Sequence, residues 1–315
     1  MKNYNFSIII PHKNITDLLQ RCLDSIPSRE DIQIIVVDDN SNPEKVDFNR
    51  FPGAGRANVE VYFDKSGKGA GRARNIGLAH ALGEWVLFSD ADDCFETGIS
   101  EILEYLFNED SADIVYFDVI SKDSDTLDKT EESNAFSKTL HRRDDFELRY
   151  GLLTPWMKAV RRSFIVNHGI KFEEVPCGND TRFSALCGYY AKKINVLDIV
   201  GYCWMRRNNS LWRNIDINWC ITRYKVSMSL SRFMRHHKEG RAQKHFEYSS
   251  FGFLSRVETF SKYKYVWYLL QYGIETRNRG IVFRHVPRYC FLHLKLKCGI
   301  NISIKDYIRS KFGLN

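Results

Sequence analysis

The sequence contains no apolar run long enough to cross a membrane. Its longest apolar stretches cover residues 6–10, 32–37 and 266–270, whereas a spanning helix needs roughly 18 such residues. The amino terminus leads directly into the first of these stretches and lacks the apolar core of a secretory signal. We therefore expect a cytoplasmic protein without a spanning helix.

Paired cysteines, metal-spaced histidines and internal repeats are also missing. The eight cysteines include no Cys-x-x-Cys pair, which argues against a zinc site or a disulfide framework, and we expect them to be reduced core residues. The nine histidines show no metal-ligand spacing and are interpreted as surface or packing residues. A composition with 43% hydrophobic and 27% charged residues then predicts an ordered globular chain.

Acidic residues are scarce in the last third of the chain. Residues 216–315 contain 19 Lys and Arg against 6 Asp and Glu, a net charge of +13, whereas the first 215 residues carry −6. This asymmetry indicates an anionic partner, either a membrane surface or nucleic acid, or else a merely solvated helical bundle. Basic helices rich in Tyr, Trp and Phe are typical of the headgroup region. Nucleic acid is not expected as a partner, because no binding motif accompanies the charge.

What the sequence does contain is an alternation of strand and helix patterns over its first 120 residues. Near-continuous apolar runs predict strands that are buried on both faces. The expected strands are 6–10, 32–37, 59–63, 85–89 and 113–119. Three helices are expected: one capped by Thr16, one over 72–82 that ends at Gly83, and one over 99–107. This pattern predicts a doubly wound, Rossmann-like α/β fold with a mostly parallel sheet.

The rest of the chain is less regular. We expect a mobile loop at 121–138, helices at 156–168 and 180–191, strands at 194–197 and 202–205, and a helical C-terminal extension over 216–315. Residues 1–120 and 121–215 are expected to be the two halves of one domain.

Two acidic pairs follow two of the predicted strands. Asp90-Ala91-Asp92-Asp93 comes directly after strand 85–89, and Asp38-Asp39 follows strand 32–37. The carboxyl ends of strands form the ligand crevice of an open α/β sheet, so both pairs are expected in one site. An Asp-x-Asp pair beside a diphosphate suits a hard cation such as Mg²⁺. The alternative is a solvated turn that caps the next helix.

A glycine-rich stretch, Gly67-Lys68-Gly69-Ala70-Gly71-Arg72, follows the third strand. It has neither the glycine spacing nor the position of a dinucleotide-binding loop. We interpret it as a flexible turn over the substrate that places Arg72 and Arg74 near phosphate. The alternative is that both are ordinary arginines on a helix surface.

Five segments together resemble the serial motifs of family 2 glycosyltransferases of the GT-A fold. They are 6–11, 34–41, 71–78, 83–93 and 156–162. The resemblance covers residues 5–210. It implies a nucleotide-diphosphate sugar as donor, bound by the half 1–120, and an acceptor bound by the half 121–215.

The resemblance also implies roles for single residues. Asp39 would lie at the nucleotide base, Asp90 near the ribose and the metal, and Asp92 on a Mn²⁺ or Mg²⁺ ion that bridges the diphosphate. Asp180 would be the catalytic base, and the alternative for it is a helix N-cap. The other expected contacts are Pro11, Lys13, Arg72, Arg74 and Ala91 on the nucleotide sugar, and Trp156 and Asn179 on the acceptor side.

The sequence departs from the family pattern at two positions. After Pro11 it has His12 and Lys13 but no Tyr to stack on the base, and Lys13 is expected to meet the charge of the nucleotide instead. Asn179 stands where the family has Glu, which removes one charge beside Asp180. Trp156 is expected either to border the acceptor sugar or to be a buried aromatic residue.

These features predict a metal-dependent, inverting glycosyltransferase. It would transfer a hexosyl or N-acetylhexosaminyl group, from a UDP-sugar in the first place, to a surface polysaccharide or lipid-linked glycan. The alternatives are a sugar-nucleotide nucleotidyltransferase, which usually has a Gly-rich phosphate motif after the first strand, and a non-catalytic glycan-binding scaffold. We expect the protein on the inner face of the cell membrane, bound to its anionic surface, with a homo-oligomer left open.

Overall fold

The computed structural model describes residues 4–207 and 215–276. These residues form two compact units, one within Met1–Asn214 and the other within Ile215–Asn315. In the described residues, the first unit is built on one sheet and the second consists of helices.

The first unit has the strand and helix order of an α/β domain. Its strands are β1 (Phe6–His12), β2 (Ile32–Asp39), β3 (Val59–Asp64), β4 (Trp85–Phe88), β5 (Cys94–Phe95), β6 (Ile114–Asp123), β7 (Lys129–Thr130), β8 (Lys158–Arg161) and β9 (Ile194–Arg206). Its helices are α1 (Thr16–Asp24), α2 (Ala70–His80), α3 (Ile99–Asn108), α4 (Asn134–Arg142), α5 (Asp145–Tyr150), α6 (Arg162–Asn167) and α7 (Asn179–Tyr190).

The strands are ordered β3-β2-β1-β4-β8-β6-β9-β5, with β7 paired to β6. β1 is parallel to both β2 and β4, and β2 is parallel to β3. β8 lies antiparallel between β4 and β6, whereas β6 and β9 are parallel. The expected α/β fold with a mostly parallel sheet is therefore confirmed. Because β1, β2 and β4 run in one direction, their carboxyl ends meet at one edge of the sheet.

Close packing around β1 explains two glycines. β1 and β2 are buried along their whole length, as their apolar sequence predicts. α2 packs on β1 at Gly77, where a Cβ atom would lie 2.4 Å from Cγ2 of Ile9. Gly83 does not end α2 as expected, because the helix stops at His80 and Ala81 is already extended. A Cβ on Gly83 would lie 2.4 Å from the carbonyl carbon of Phe6, so only glycine lets the backbone of β1 pack this closely against residue 83.

The helix expected at 156–168 is wrong over residues 156–161 and is confirmed only from Arg162 onward. The segment contains the short strand β8 and, from Arg162, the helix α6. Lys158, Ala159 and Val160 are buried where β8 pairs with both β4 and β6. Two neighbouring strands therefore decide the conformation of a segment whose own spacing is that of a helix.

The loop expected at 121–138 is also wrong, because the segment contains the end of β6, the strand β7 and the start of α4. The hydroxyl of Ser121 contacts the carbonyl of Thr130 at 3.1 Å and the hydroxyl of Ser133 at 3.2 Å. Polar residues here bond to one another, which orders the segment. The two strands expected at 194–197 and 202–205 are one strand, β9, with an irregular register opposite Phe117 and Asp118.

The second unit has the expected helical character. Its helices are α8 (Ile217–His236), α9 (Gly240–Phe260) and α10 (Lys262–Glu275). Buried Cys220, Tyr224, Leu254 and Leu269 form part of its core. In the part of the chain that the structure describes, no helix is long and apolar enough to span a membrane. The aromatic residues Phe283, Tyr289 and Phe291, which contribute to the predicted membrane contact, lie outside the described residues.

Candidate active site

The acidic turn, residues 90–93, follows β4 at the edge where β1 and β2 end. Its last residue, Asp93, is buried and accepts hydrogen bonds from the hydroxyl of Tyr202 and the N–H of Met205, both at 2.8 Å. Burial, and then the charges of Asp92 and Asp90, raise the pKa of Asp93 well above its usual range, and the two donors act against this. Asp93 therefore holds the turn to β9 and is not available to a ligand.

Tyr202 is a site residue that the sequence does not reveal. Its ring is buried, and its hydroxyl also accepts a hydrogen bond from the N–H of Asp90 at 3.0 Å. A tyrosine in a strand carries no motif. It reaches the acidic turn because β9 pairs with β5, which directly follows that turn.

Asp90 and Asp92 are the carboxylates of the turn that remain accessible, with side chains 35% and 21% exposed. Each one faces a guanidinium group. Nη2 of Arg74 contacts Asp90, and Nη2 of Arg207 contacts Asp92. Burial, and then the charge of Asp90, raise the pKa of Asp92, while Arg207 lowers it. Ala91 between them is buried.

Arg74 connects three parts of the site. It is buried on α2, and besides Asp90 it donates from Nη1 to Oδ1 of Asn179 at 2.8 Å. Its guanidinium carbon lies 5.4 Å from the ring centre of Phe172, within the range of a cation–π contact. Two predicted site residues, Arg74 and Asn179, are thus joined to the acidic turn.

Arg72 has other partners. Its Nε donates to Oδ2 of Asp64 at 2.9 Å, and its Nη1 lies 3.6 Å from Glu174. The described contacts therefore place it at the end of β3 and not beside Asp90. The glycine before it, Gly71, would place a Cβ atom 2.0 Å from the carbonyl oxygen of Glu173. Close contact between backbones thus explains this glycine without a dinucleotide.

The ends of β1 and β2 present a second polar group. Nζ of Lys13 contacts Oδ2 of Asp39 at 2.9 Å, and the N–H of Gly69 donates to Oδ1 of Asp39 at 2.9 Å. Lys13 is about half exposed, whereas Asp39 is buried. Gly69 has φ of +90°, a conformation that other residues rarely adopt. Lys13 and Asp39, both predicted from the sequence, are therefore paired beside the glycine-rich turn.

A buried contact holds these two strand ends together. Nδ1 of His12 lies 2.8 Å from Oδ1 of Asp38, and the N–H of Ile15 donates to Nε2 of His12 at 3.1 Å. Nε2 thus accepts, so Nδ1 carries the proton and donates to Asp38. Burial raises the pKa of Asp38, but hydrogen bonds from His12 and Ser41 outweigh it, and the pKa is lowered. Pro11, in β1 just before His12, is buried in the same strand.

Asp180 is the second residue of α7, and the N-cap position is occupied by Gly178, with φ of +67°. Asp180 therefore does not cap the helix, contrary to the alternative interpretation. Its side chain is half-buried. Because Asn179 precedes it, Asp180 lies next to the network that runs through Arg74 to the acidic turn.

Lys158 is a buried cation in one of the five motif segments, and the sequence indicated no role for it. Its Nζ donates to the carbonyl of Leu152 at 2.9 Å and to the hydroxyl of Tyr116 at 3.3 Å. Burial lowers the pKa of Lys158 to about 8, against the opposing charges of Cys187 and Asp180. A lysine thus lies within electrostatic range of Asp180.

Trp156 is only 7% exposed. Its ring stacks on that of Tyr202 with 5.2 Å between the ring centres, and it lies 6.4 Å from the ring of Trp204. Phe136 packs edge-on against it at 5.4 Å. The structure therefore places Trp156 in an aromatic cluster that supports Tyr202.

The carboxylates of Asp90 and Asp92 fit a divalent cation only if Arg207 moves away from Asp92. Among the described residues, no group of three or more His, Cys, Asp and Glu side chains could hold a metal ion. Beside a diphosphate fewer suffice, because phosphate oxygens and water complete the ligands of Mg²⁺ or Mn²⁺ around one or two carboxylates. Asp92 with Asp90 provides this donor set if the guanidinium of Arg207 leaves Asp92.

The mostly parallel sheet with an acidic turn at its carboxyl edge is the architecture of the GT-A glycosyltransferases, and similar solved structures confirm this fold. The family model "Glycosyl transferase family 2" matches residues 7–168. The chain belongs to this family.

Two relatives show how far the similarity extends. The minor teichoic acid biosynthesis protein GgaB of Bacillus subtilis is 34% identical over 122 residues, which are 36% of this chain and 13% of GgaB. A PGL/p-HBAD biosynthesis glycosyltransferase of Mycobacterium bovis is 31% identical over 121 residues, which are 37% of this chain and 47% of that enzyme. The matched region thus spans less than half the length of either relative.

Two solved structures share the fold. Residues 1–349 of TarS from S. aureus, in complex with UDP-GlcNAc, have a TM-score of 0.60 and 18% identity, covering 86% of this chain and 81% of TarS 1–349. The mannosyltransferase PcManGT of Pyrobaculum calidifontis, in complex with GDP-Man and Mn²⁺, has a TM-score of 0.54 and 15% identity, covering 89% of this chain and 82% of PcManGT.

Proposed function

We propose that this protein is an inverting glycosyltransferase that moves a sugar from a UDP-sugar to a hydroxyl group of a glycan. The observation that carries the proposal is the network from Asn179 through Arg74 to Asp90. It ties the start of α7, and with it the half-buried carboxylate of Asp180, to two accessible carboxylates at a strand end. A proton acceptor and a diphosphate site are needed together in this reaction.

The donor is proposed to lie along the carboxyl ends of β2, β1 and β4. Asp39 with Lys13 would meet the nucleotide, Asp90 and Ala91 the ribose, and Arg74 the diphosphate. A guanidinium is well suited to phosphate because its donors match the spacing of phosphate oxygens. The UDP-GlcNAc bound to TarS supports uridine as the base and a hexosyl or N-acetylhexosaminyl group as the sugar.

A Mn²⁺ or Mg²⁺ ion is proposed on Asp92. The donor set fits, and the Mn²⁺ in PcManGT supports this assignment. When bound, such an ion would neutralise charge that develops on the leaving diphosphate.

Asp180 is proposed as the general base. It would accept the proton of the acceptor hydroxyl while that oxygen forms its bond to the anomeric carbon. The bond from this carbon to the diphosphate oxygen breaks, and the nucleoside diphosphate leaves with the electron pair. One such displacement inverts the anomeric centre, and a positioned base contributes roughly 10²–10⁴-fold to the rate.

The acceptor is proposed to be a surface polysaccharide or lipid-linked glycan that is presented at the inner face of the membrane. The relative GgaB, which is named for teichoic acid biosynthesis, supports a surface polymer as the acceptor. On α10, Lys264 is exposed, Trp267 is 51% exposed and Ile274 is 43% exposed. Spacings of three and seven residues place them on one side of the helix. Together with the net charge of +13 in residues 216–315, this side supports peripheral contact with anionic lipid.

Thermal unfolding of the full chain tests the donor. UDP, GDP and a set of UDP-sugars are added with and without Mn²⁺, because a bound ligand raises the melting temperature by mass action. We expect the largest rise with one UDP-sugar in the presence of Mn²⁺. Release of UDP from that sugar nucleotide, compared between the wild type and Asp180→Asn, then tests the reaction.

Two outcomes would favour the alternatives. Formation of pyrophosphate from a nucleoside triphosphate and a sugar phosphate would identify a nucleotidyltransferase. If no nucleotide or nucleotide sugar changes the melting temperature, the protein would be a glycan-binding scaffold of the same fold.

A further inference from the structure

Arg207 occupies the carboxylate on which a cation is proposed. It follows the last residue of β9, and its Nη2 contacts Oδ2 of Asp92. The side chains are 29% and 21% exposed, so water screens this pair less than it would a surface pair. A positive group already neutralises Asp92 before any ligand arrives.

Hydrogen bonds anchor the acidic turn on both sides. Arg21 donates from Nη2 to the carbonyl of Asp92 at 3.0 Å and from Nη1 to the carbonyl of Ser124 at 3.2 Å. Asp93 is held from the other side by Tyr202 and Met205. Because the turn is fixed at both of these residues, Arg207 is the group that has to leave when a cation binds Asp92.

We propose that Arg207 is an internal counter-ion of Asp92 that excludes a divalent cation from this carboxylate until a nucleotide diphosphate binds. The proposal rests on the cation site of the proposed function. A cation alone must displace a guanidinium and leave it next to the new positive charge. A diphosphate brings negative charge that both positive groups can share, so the cation and the nucleotide bind with positive coupling.

The neighbouring residue provides a matched control. Arg206 carries the same charge at the end of the same strand, but its Nε contacts Oε1 of Glu132 at 2.8 Å. Replacing either arginine by alanine changes the net charge of the protein equally. Any difference in Mn²⁺ affinity between Arg206→Ala and Arg207→Ala therefore comes from the contact with Asp92 and not from the change in the net charge of the protein.

The experiment measures the affinity of the full-length protein for Mn²⁺ alone, from the electron paramagnetic resonance signal of free Mn²⁺. We expect Arg207→Ala to bind Mn²⁺ about tenfold more tightly than the wild type, and Arg206→Ala to bind as the wild type does. Added UDP should raise the Mn²⁺ affinity of the wild type much more than that of Arg207→Ala. The variant Arg207→Lys, which keeps the charge, should remain close to the wild type, and circular dichroism verifies folding.

An Mn²⁺ affinity of Arg207→Ala equal to or lower than that of the wild type, in a folded protein, would overturn the proposal. The same holds if Arg207→Ala and Arg206→Ala gain equally. Failure of the proposed function would be seen in other measurements. Sugar transfer that persists in EDTA would show that the reaction needs no metal ion. The absence of UDP binding would show that a UDP-sugar is not the donor.

Discussion

The hydroxyl of Tyr202 donates a hydrogen bond to Oδ2 of Asp93 at 2.8 Å and thereby joins β9 to the acidic turn. The same hydroxyl accepts from the N–H of Asp90. One phenol thus orients the two ends of the turn, and Asp92 between them keeps its position. The third acid of the turn is buried and holds the structure, while the side chains of the first two remain partly exposed.

Tyr202→Phe should lower the free energy of unfolding by about 1–3 kcal/mol, because Oδ2 of the buried Asp93 loses this donor and the backbone N–H of Asp90 loses this acceptor. Urea unfolding followed by circular dichroism measures the change. Tyr248, which is 76% exposed, provides the control, and Tyr248→Phe should leave stability as it is. Equal stability of both variants would show that the hydroxyl of Tyr202 is not needed to hold the turn.

Asp92→Ala should abolish transfer and the part of nucleotide binding that depends on a cation, since it removes the proposed ligand. Folding should survive with a change of about 1 kcal/mol or less, because the pair with Arg207 is partly exposed. Calorimetric titration with UDP, with and without Mn²⁺, makes the comparison. A variant that retains more than about a tenth of the wild-type rate with an unchanged response to Mn²⁺ contradicts the assignment.

Asp180→Asn should leave UDP-sugar binding nearly intact while turnover falls by about 10²-fold or more, the pattern for a lost proton acceptor. Asn179→Ala is the neighbouring comparison. It removes the acceptor for Nη1 of Arg74 and should weaken donor binding more than Asp180→Asn does. Calorimetry and a UDP-release assay separate the two effects, and an equal loss of binding and rate in Asp180→Asn would make this residue structural.

Lys158 should make a contribution to stability that rises with pH between about 8 and 10.5. Burial lowers the pKa of this lysine from 10.5 to about 8, so over this range the unfolded chain binds more protons than the folded one. The gain is at most about 3 kcal/mol.

Urea unfolding at pH 8 and pH 10 measures the change, and the stability of the wild type relative to Lys158→Met should rise between these two pH values. The exposed Lys192 is the control, since Lys192→Met should keep the wild-type dependence on pH. A parallel pH dependence in the wild type and Lys158→Met would mean that the lysine is charged in the folded state throughout.

The full-length protein should sediment with vesicles that contain phosphatidylglycerol and far less with phosphatidylcholine alone. Binding should fall sharply above physiological ionic strength, where the Debye length drops below about 8 Å. Trp267→Ser should weaken the remaining binding by removing an exposed aromatic ring from α10. Absence of binding to the anionic vesicles at low salt would leave the basic region a role in packing or oligomerisation.

Buried parallel strands are the part of this fold that a sequence reveals most directly. Residues 34–37 of β2 and Trp85–Phe88 are continuously apolar because both faces of the sheet are covered. Asp39, Asp90 and Asp92 could therefore be placed at strand ends from the sequence. The short strand β8 could not be predicted, because its conformation comes from pairing with β4 and β6.

The sequence by itself determined the family, the parallel core and the positions of the acids, since these depend on local pattern and on the order of motifs. Only the tertiary structure decided what each acid does. Tyr202 and Arg207 contact Asp93 and Asp92 across 109 and 115 residues of chain. No local pattern connects residues so far apart, and their burial and pairing decide that Asp93 is held by hydrogen bonds inside the protein while Asp92 is paired with a guanidinium.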